Sequence, residues 1–576
     1  MLLFSSVYVA TFSGVSHFAS AYTVDKTVNT EQELRDAIIE ALAKAPDQYV
    51  IALAKDIELK SKLTISATAN VVLISEGDVP MKLIGPNGVS TITIESGTLI
   101  LDGVIVTHNS GETGRGVYVN SGATLILNSG EISENNIDTG GIINDAKCGG
   151  GVYNWGTFIM NGGTISKNSA YNGGGVYSIV TFEMNGGVFA ENTASGAGGG
   201  ADNLGTFTMT DGTFYKNKAT VCGGVFNGVY ATFTLTDGKF LENEATYGSG
   251  GGVYNDGYGT FIMIGGIFSK NKAYDGGGVF NLGIFKMSGG TIGGTTAADG
   301  NIATEGGGGV CNGGYFSVFS MHGGIIAHNT ARSGGGVYGT VGVFNMYGGK
   351  ISDNTAFWGG GVYLGESIFN MESGVLSGNT AHYYGGGVYN WWSTFTMSGD
   401  AVISNNMSPY DGGGVYNQWH FDMSGNAVID NNTANGNGGG IYNHDDYGIF
   451  TMEGGKISDN TANNGGGIYN VCTDVNAVTI KGGTISGNIA TNDGGGIYVS
   501  YANLDKVTIA EGVTFSDNRA GTMYDRNPED DELYHAQIAD GVTWTVPFTQ
   551  GYNNYDISYT NGVLLQTYNI KYELNG

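Results

Sequence analysis

Gly149-Gly150-Gly151-Val152-Tyr153-Asn154, then Thr157-Phe158-Ile159-Met160, then Gly162-Gly163-Thr164-Ile165-Ser166-Lys167-Asn168, is one copy of a phrase that fills the chain from Cys148 to Asn518. Its Gly-Gly-Gly-Val-Tyr-Asn part, or a worn form of it, occurs 14 times. The Val, Ile or Ala stands at 152, 176, 201, 225, 253, 279, 310, 337, 362, 388, 415, 441, 468 and 497, mostly 24 to 29 residues apart. Repetition at this period marks a solenoid, in which each repeat is one unit stacked on the last.

Within a copy the apolar residues alternate, which is the period of a strand. Phe and Met lie two apart and share a face. The Phe column runs from Phe158 through Phe450 and ends as Val478 and Val507; 11 of the 15 methionines fill the column beside it. The glycine content and the period of two exclude a helix. Strands joined by short turns, with the same residue recurring once per coil, predict a β-helix whose coils lie roughly 4.8 Å apart, with Phe, Met, Val and Ile inside. Three corners follow. The Gly pair after Met supplies positive φ for a tight turn. The asparagine that recurs after it (Asn168, Asn192, Asn217, Asn243) suits an internal amide ladder. The interval from Val to Phe varies and carries the loops, and the Gly triplet makes the third corner. Before the recurring Asn, Lys167, Glu191, Lys216, Glu242 and Lys270 alternate in sign, as a surface charge ladder between stacked coils would.

Outside the repeat the chain reads as follows. Residues 1–21 are an apolar run ending in Ala19-Ser20-Ala21, the pattern of a secretory signal. Residues 22–60 form an N-terminal cap. It contains a helix over 30–45, with Thr30 as N-cap, Glu33 three residues on, and an apolar stripe of Leu34, Ala37, Ile38, Ala41 and Leu42. Residues 61–520 are the solenoid. Residues 521–567 are a C-terminal cap that includes the solvated acidic stretch Glu529-Asp530-Asp531-Glu532.

A net charge of −28 excludes a nucleic-acid partner, which needs clustered Lys and Arg. No stretch of the solenoid is apolar for long enough to make a membrane helix. Cys148, Cys222, Cys311 and Cys472 sit at four different offsets in separated coils, so no disulfide is expected among them.

The repeats resemble the right-handed parallel β-helix repeats of the pectate-lyase-like superfamily. In their Gly-rich Val-Tyr-Asn and Phe-x-Met-x-Gly-Gly form they are similar to adhesin-like surface proteins of gut bacteria and archaea. The closing Tyr568-Asn569-Ile570-Lys571-Tyr572-Glu573-Leu574-Asn575-Gly576 resembles the start of an internalin-B-type (Listeria–Bacteroides) repeat. The resemblance implies an all-β, single-stranded right-handed parallel β-helix. It also implies a secreted protein, held at the cell wall or surface through a region beyond residue 576.

The superfamily contains polysaccharide lyases and glycoside hydrolases, which need carboxylates or a calcium-held acid and a basic partner over a cleft. The short corners leave little room for one. Asp445-Asp446 stands alone, and His322, His328, His382, His420 and His444 fall at different repeat positions. No catalytic residue, metal ligand or cofactor is expected. The reading is a non-catalytic surface scaffold or adhesin, with a carbohydrate-active enzyme as the alternative and a self-associating fibre as a third. Nothing in the repeat fixes an oligomeric state. One binding surface suggests itself: in Val-Tyr-Asn the Tyr alternates against the inward Val. Tyr363, Tyr389, Tyr416, Tyr442, Tyr469 and Tyr498 would then form an exposed row able to meet a glycan or a surface protein, or simply to stabilise the sheet by cross-strand packing.

Overall fold

Residues two apart on a strand share a face, and Phe158 and Met160 both point into the core, as do their counterparts in the following coils. The computed structural model describes residues 22–137, 147–444, 447–500, 503, 506–510, 513–520 and 557–560. They form a right-handed parallel β-solenoid of about 18 turns. Each coil visits three long sheets in the same order. Val152–Asn154 lies on the first, Thr157–Met160 on the second and Thr164–Ser166 on the third. A fourth, short ladder of strands such as Ser169–Ala170 then leads into the next Gly triplet. Every pairing is parallel and in register, so like falls on like: Phe158 pairs with Phe182, Met160 with Met184 and Val152 with Val176.

Two phenylalanine stacks fill the core. Along the second sheet, Phe182 and Phe207 have ring centroids 4.2 Å apart and Phe319 and Phe344 4.8 Å apart, with planes within 7°. Phe189, Phe214, Phe240 and Phe268 form a shorter stack on the third sheet and meet the first stack edge-on, as Phe207 does Phe214 at 6.3 Å. Methionine fills the space beside the rings, and its fit explains the second glycine of the pair one coil later. A Cβ at Gly187 would lie 2.4 Å from Met160 Cε, and one at Gly349 2.6 Å from Met321 Cε. The triplet has a different logic. Its first member is left-handed (Gly334, φ +60°). The second and third touch the next coil's backbone: a Cβ on Gly335 would meet Gly360 O at 2.6 Å, and one on Gly336 would meet Gly361 O at 2.7 Å.

The recurring asparagines form one ladder from Asn135 to Asn518. Asn168 is typical. Its Nδ2 donates to Asn192 Oδ1 at 3.0 Å and to Ile132 O at 2.8 Å, and its backbone N–H donates to the same Asn192 Oδ1 at 3.1 Å. The motif repeats without a break to Asn488 and Asn518. At the other end, the buried His108 ring lies 2.8 Å from Asn135 Oδ1 and so sits at the first rung. The residue before each ladder Asn is left-handed in nearly every coil (Lys167, Glu191, Lys216, Glu242 and Lys270 at φ +52° to +59°), which turns the amide inward. That turn is what the position is for. Of the alternating charges read in the sequence, Lys216–Glu242 closes as an ion pair, at 3.8 Å. Such an exposed pair contributes about 0.2–1 kcal/mol.

At the N-terminal end, among the described residues, the one α-helix is Glu31–Lys44. Thr30 Oγ1 accepts from Glu33 N at 3.3 Å, and Leu34, Ala37, Ile38 and Ala41 are buried over the first strands of the second sheet, Lys26–Val28, Gln48–Leu53 and Asn70–Ser75. Before the Gly triplets begin, Gln48–Leu53, Leu63–Ile65, Asn70–Ser75, Ile92–Ile94 and Thr98–Asp102 already follow the same coil order. The signal segment 1–21, nearly all of the C-terminal cap 521–567, the 568–576 segment and the pair Asp445-Asp446 lie outside the described residues.

Replacing Asn329 by Ala removes an acceptor shared by Asn301 N and Asn301 Nδ2, leaves Ile292 O without the Asn329 Nδ2 donor, and leaves Asn354 Oδ1 with only the backbone N–H of residue 329. Urea unfolding of Asn329→Ala is expected to show a loss of about 2–4 kcal/mol. The exposed Lys272→Ala should stay within about 0.5 kcal/mol of the parent. Equal, small effects would count against a buried ladder whose rungs depend on one another.

Candidate functional site

The middle residue of each first-sheet strand points away from the core, and there the structure places the tyrosine row. Seven rings, Tyr338, Tyr363, Tyr389, Tyr416, Tyr442, Tyr469 and Tyr498, stack at centroid separations of 4.6 to 5.3 Å. The row is not exposed, which corrects the expectation. Tyr416 and Tyr498 keep only 5% and 6% of their surface, and the others are half-buried. The reason is the coil spacing: at about 4.8 Å each ring covers the face of the next, so only edges and hydroxyls reach water. Burial pushes the Tyr389 and Tyr469 hydroxyls up to about 12, and Tyr363 and Tyr416 higher still. Tyr389 Oη lies 3.1 Å from Gln418 Oε1.

The same column is less regular toward the N-terminus. Tyr118, Tyr153 and Tyr177 stack, and the Arg115 guanidinium lies 4.9 Å from the Tyr153 ring and donates to Cys148 O and Gly149 O. Burial lowers that guanidinium to about 10. Asp202 then takes a tyrosine's place, paired with Tyr177 and Phe226. It is 2% exposed, and its Oδ1 has no hydrogen-bond partner. Burial, with a smaller push from Asp256, raises this carboxyl to about 8.

Most exposed aromatics lie on the corners beside the row. On the corner leading to the Phe strands, Trp391, Trp392 and Tyr447 are exposed and Trp419 is half-buried; Tyr230, Tyr258 and Phe316 stack in the same way nearer the N-terminus. On the corner before the Gly triplet, Phe357, Tyr383 and Tyr410 are exposed, and Trp358 and Tyr384 half-buried. Four of the six tryptophans fall between 358 and 419. The doublets Phe357-Trp358, Tyr383-Tyr384 and Trp391-Trp392, which break the repeat's phrasing, are the sequence signal for this cluster. Column-by-column reading passes over it because corner residues belong to no column. Glu366, Trp391, Trp392 and Trp419 line an open hollow of about 410 Å³. A second hollow, of about 460 Å³, is lined by Thr30, Glu31, Gln32, Arg35, Glu58 and Lys60 at the start of the helix.

Among the described residues no group of three His, Cys, Asp or Glu is placed to hold a metal ion. The histidines are spread over aromatic neighbours: His322 on Tyr347, His382 on Phe357, His420 on Trp419. Burial raises the Cys222 and Cys311 thiols, which disfavours a reactive thiolate. Asp275 and Asp411 are structural: each accepts a backbone N–H of the next coil, from Gly306 and Asn437, at 2.8 Å. Among the described residues no helix is long and apolar enough to cross a membrane.

Asp202 makes stability depend on pH. Its folded value of about 8 lies above the ordinary 3.8, so between these values the folded chain holds a proton that the unfolded chain has released. Stability therefore falls as pH rises through that window, by up to about 1.4 kcal/mol per pH unit, and the contribution is lost above it. Thermal melts of wild type and Asp202→Asn at about pH 5 and about pH 8 should diverge, the wild type losing more. Parallel curves would contradict the assignment.

Two segments of the chain, residues 426–444 and 482–500, match the family model of the Chlamydia polymorphic membrane protein repeat. No curated protein and no solved structure matches the chain. Each matched segment holds one third-sheet strand, one ladder Asn, one Gly triplet and one Ile-Tyr pair, so the likeness is to a single coil of this solenoid.

Proposed function

We propose that the chain is a non-catalytic scaffold or adhesin of the cell surface, holding a long, regular face toward glycans or surface proteins. The observation that carries this reading is the unbroken run of short coils. Among the described residues between Asn135 and Asn518, no long loop stands out from the ladder to wall a cleft. The charge of −28 suits an extended, apolar-rich rod that must stay soluble. The match to a repeat of proteins described as polymorphic membrane proteins agrees with a location at a membrane surface.

Several finer features belong to the same reading: secretion by the 1–21 segment, caps at 22–60 and 521–567, and attachment through an internalin-B-type region that 568–576 would open. So does kinship with the pectate-lyase-like superfamily. Under this reading the tyrosine row stiffens the face, and it offers a partner ring edges and hydroxyls rather than ring faces.

Two assays test the proposal. Protease shaving of intact cells that make the full-length protein should release solenoid peptides, and purified protein should liberate no reducing sugar from pectin, alginate or mucin glycans. Sustained sugar release, or a protein protected from the protease until cells are lysed, would overturn it.

A further inference from the structure

On the corner between the first and second sheets, register brings a carboxylate against a tryptophan pair. Gly365 pairs with Trp391, so Glu366 and Trp392 occupy the same turn position in successive coils; Asn390 pairs with Asn417, which sets Trp419 on Trp392. The Trp392 and Trp419 rings lie 4.7 Å apart at 31°, and Tyr447 closes on both, at 5.1 and 5.9 Å. The hollow of about 410 Å³ opens between Glu366, Trp391, Trp392 and Trp419.

Two features of this corner are not explained by folding. First, the turn position is left-handed in three successive coils, with Val341, Glu366 and Trp392 each at φ +52°, so the fold sets the conformation but not the indole placed on it. A glycine adopts that conformation at no steric cost, whereas a bulky side chain there is strained by about 1–3 kcal/mol. The turn itself gains nothing from an indole. Second, among the described residues the exposed Glu366 carboxylate has neither an ion pair nor a side-chain hydrogen bond, although it stands beside three indoles whose faces carry negative potential.

We infer that this hollow binds an organic cation of the quaternary-ammonium class, with the indole faces of Trp392 and Trp419 and the Glu366 carboxylate as its recognition groups. Charge complementarity selects the ligand. Glu366 and the chain's net charge of −28 repel an anion, and a neutral ligand leaves the carboxylate unanswered. A methylated ammonium uses both the ring quadrupoles and the charge, and its apolar shell suits a hollow walled by indoles. The inference deepens the surface-scaffold reading by giving the scaffold a ligand class, and it rests on that reading only for the setting in which the ligand is met.

The test is a tryptophan-fluorescence titration of the purified chain with choline and with 3,3-dimethylbutan-1-ol, its uncharged carbon isostere. Choline is expected to bind about tenfold or more tightly than the isostere. Glu366→Gln should weaken it by about fivefold or more. Trp392→Gly should abolish it while leaving the melting temperature unchanged or raised, because the turn is relieved. Equal binding of the isostere would reduce the hollow to an apolar slot and overturn the proposal. So would wild-type affinity in Trp392→Gly, or no response to either choline or phosphatidylcholine vesicles. Vesicle binding lost in Trp392→Gly places the cation on a lipid headgroup; binding of choline without vesicle binding places it on a soluble molecule. A negative result here leaves the cell-shaving and sugar-release assays untouched, and the reverse holds.

Discussion

An amide side chain buried in an apolar core must have its donors and acceptor satisfied, and in this solenoid one coil can satisfy them only through its neighbours. Asn354 donates to Ile326 O in the coil before it and to Asn379 Oδ1 in the coil after, while its own oxygen takes two donors from Asn329. The bond distances, 2.9 to 3.0 Å, leave no slack for a slipped register. Once the ladder is set, the other columns must stack: phenylalanine on phenylalanine, methionine over the next coil's glycine, triplet on triplet. Side-chain packing then supplies the bulk of the stability and the amides supply the uniqueness.

A second amide ladder shows how such a constraint ends. Asn203, Asn227, Asn255, Asn281 and Asn312 bond in sequence at 2.7 to 2.8 Å, as do Asn390, Asn417, Asn443 and Asn470. Leu364 precedes the latter run and Val499 follows it, and the terminal atoms Asn390 Oδ1 and Asn470 Nδ2 are left without partners. Unpartnered atoms at ladder ends cost free energy, and the first ladder, running the length of the repeat, keeps such ends few.

Much of this was legible because a solenoid repeats its argument. The Phe and Met columns, the corner glycines and the inward amide at Asn168 each recur so often that position and role coincide. The asparagine of Val-Tyr-Asn recurs in ten of the fourteen copies, and alternation puts it on the inward face with the Val two before it, although a polar side chain is by itself no signal of burial. Alternation also gave the side of the sheet on which Tyr416 lies but not how closely its neighbours crowd it; exposure depends on the coil spacing acting on wide rings. The lysines and glutamates before the ladder asparagines alternate in charge, but what they share is a left-handed backbone, which periodicity does not report. The Trp391, Trp392 and Trp419 corner lies off every column, and only the register between coils brings it to Glu366.

Hydrogen exchange of the backbone amides at the ladder positions reads the asparagine ladder coil by coil. Each of Asn168, Asn192, Asn217 and their successors through Asn488 donates its N–H to the next asparagine's side chain rather than to a strand. These corner amides should be as strongly protected as the strands on either side, coil after coil, and Asn329→Ala should lower protection in the adjoining coils first. Rapid exchange at the asparagine corners between protected strands would contradict the ladder.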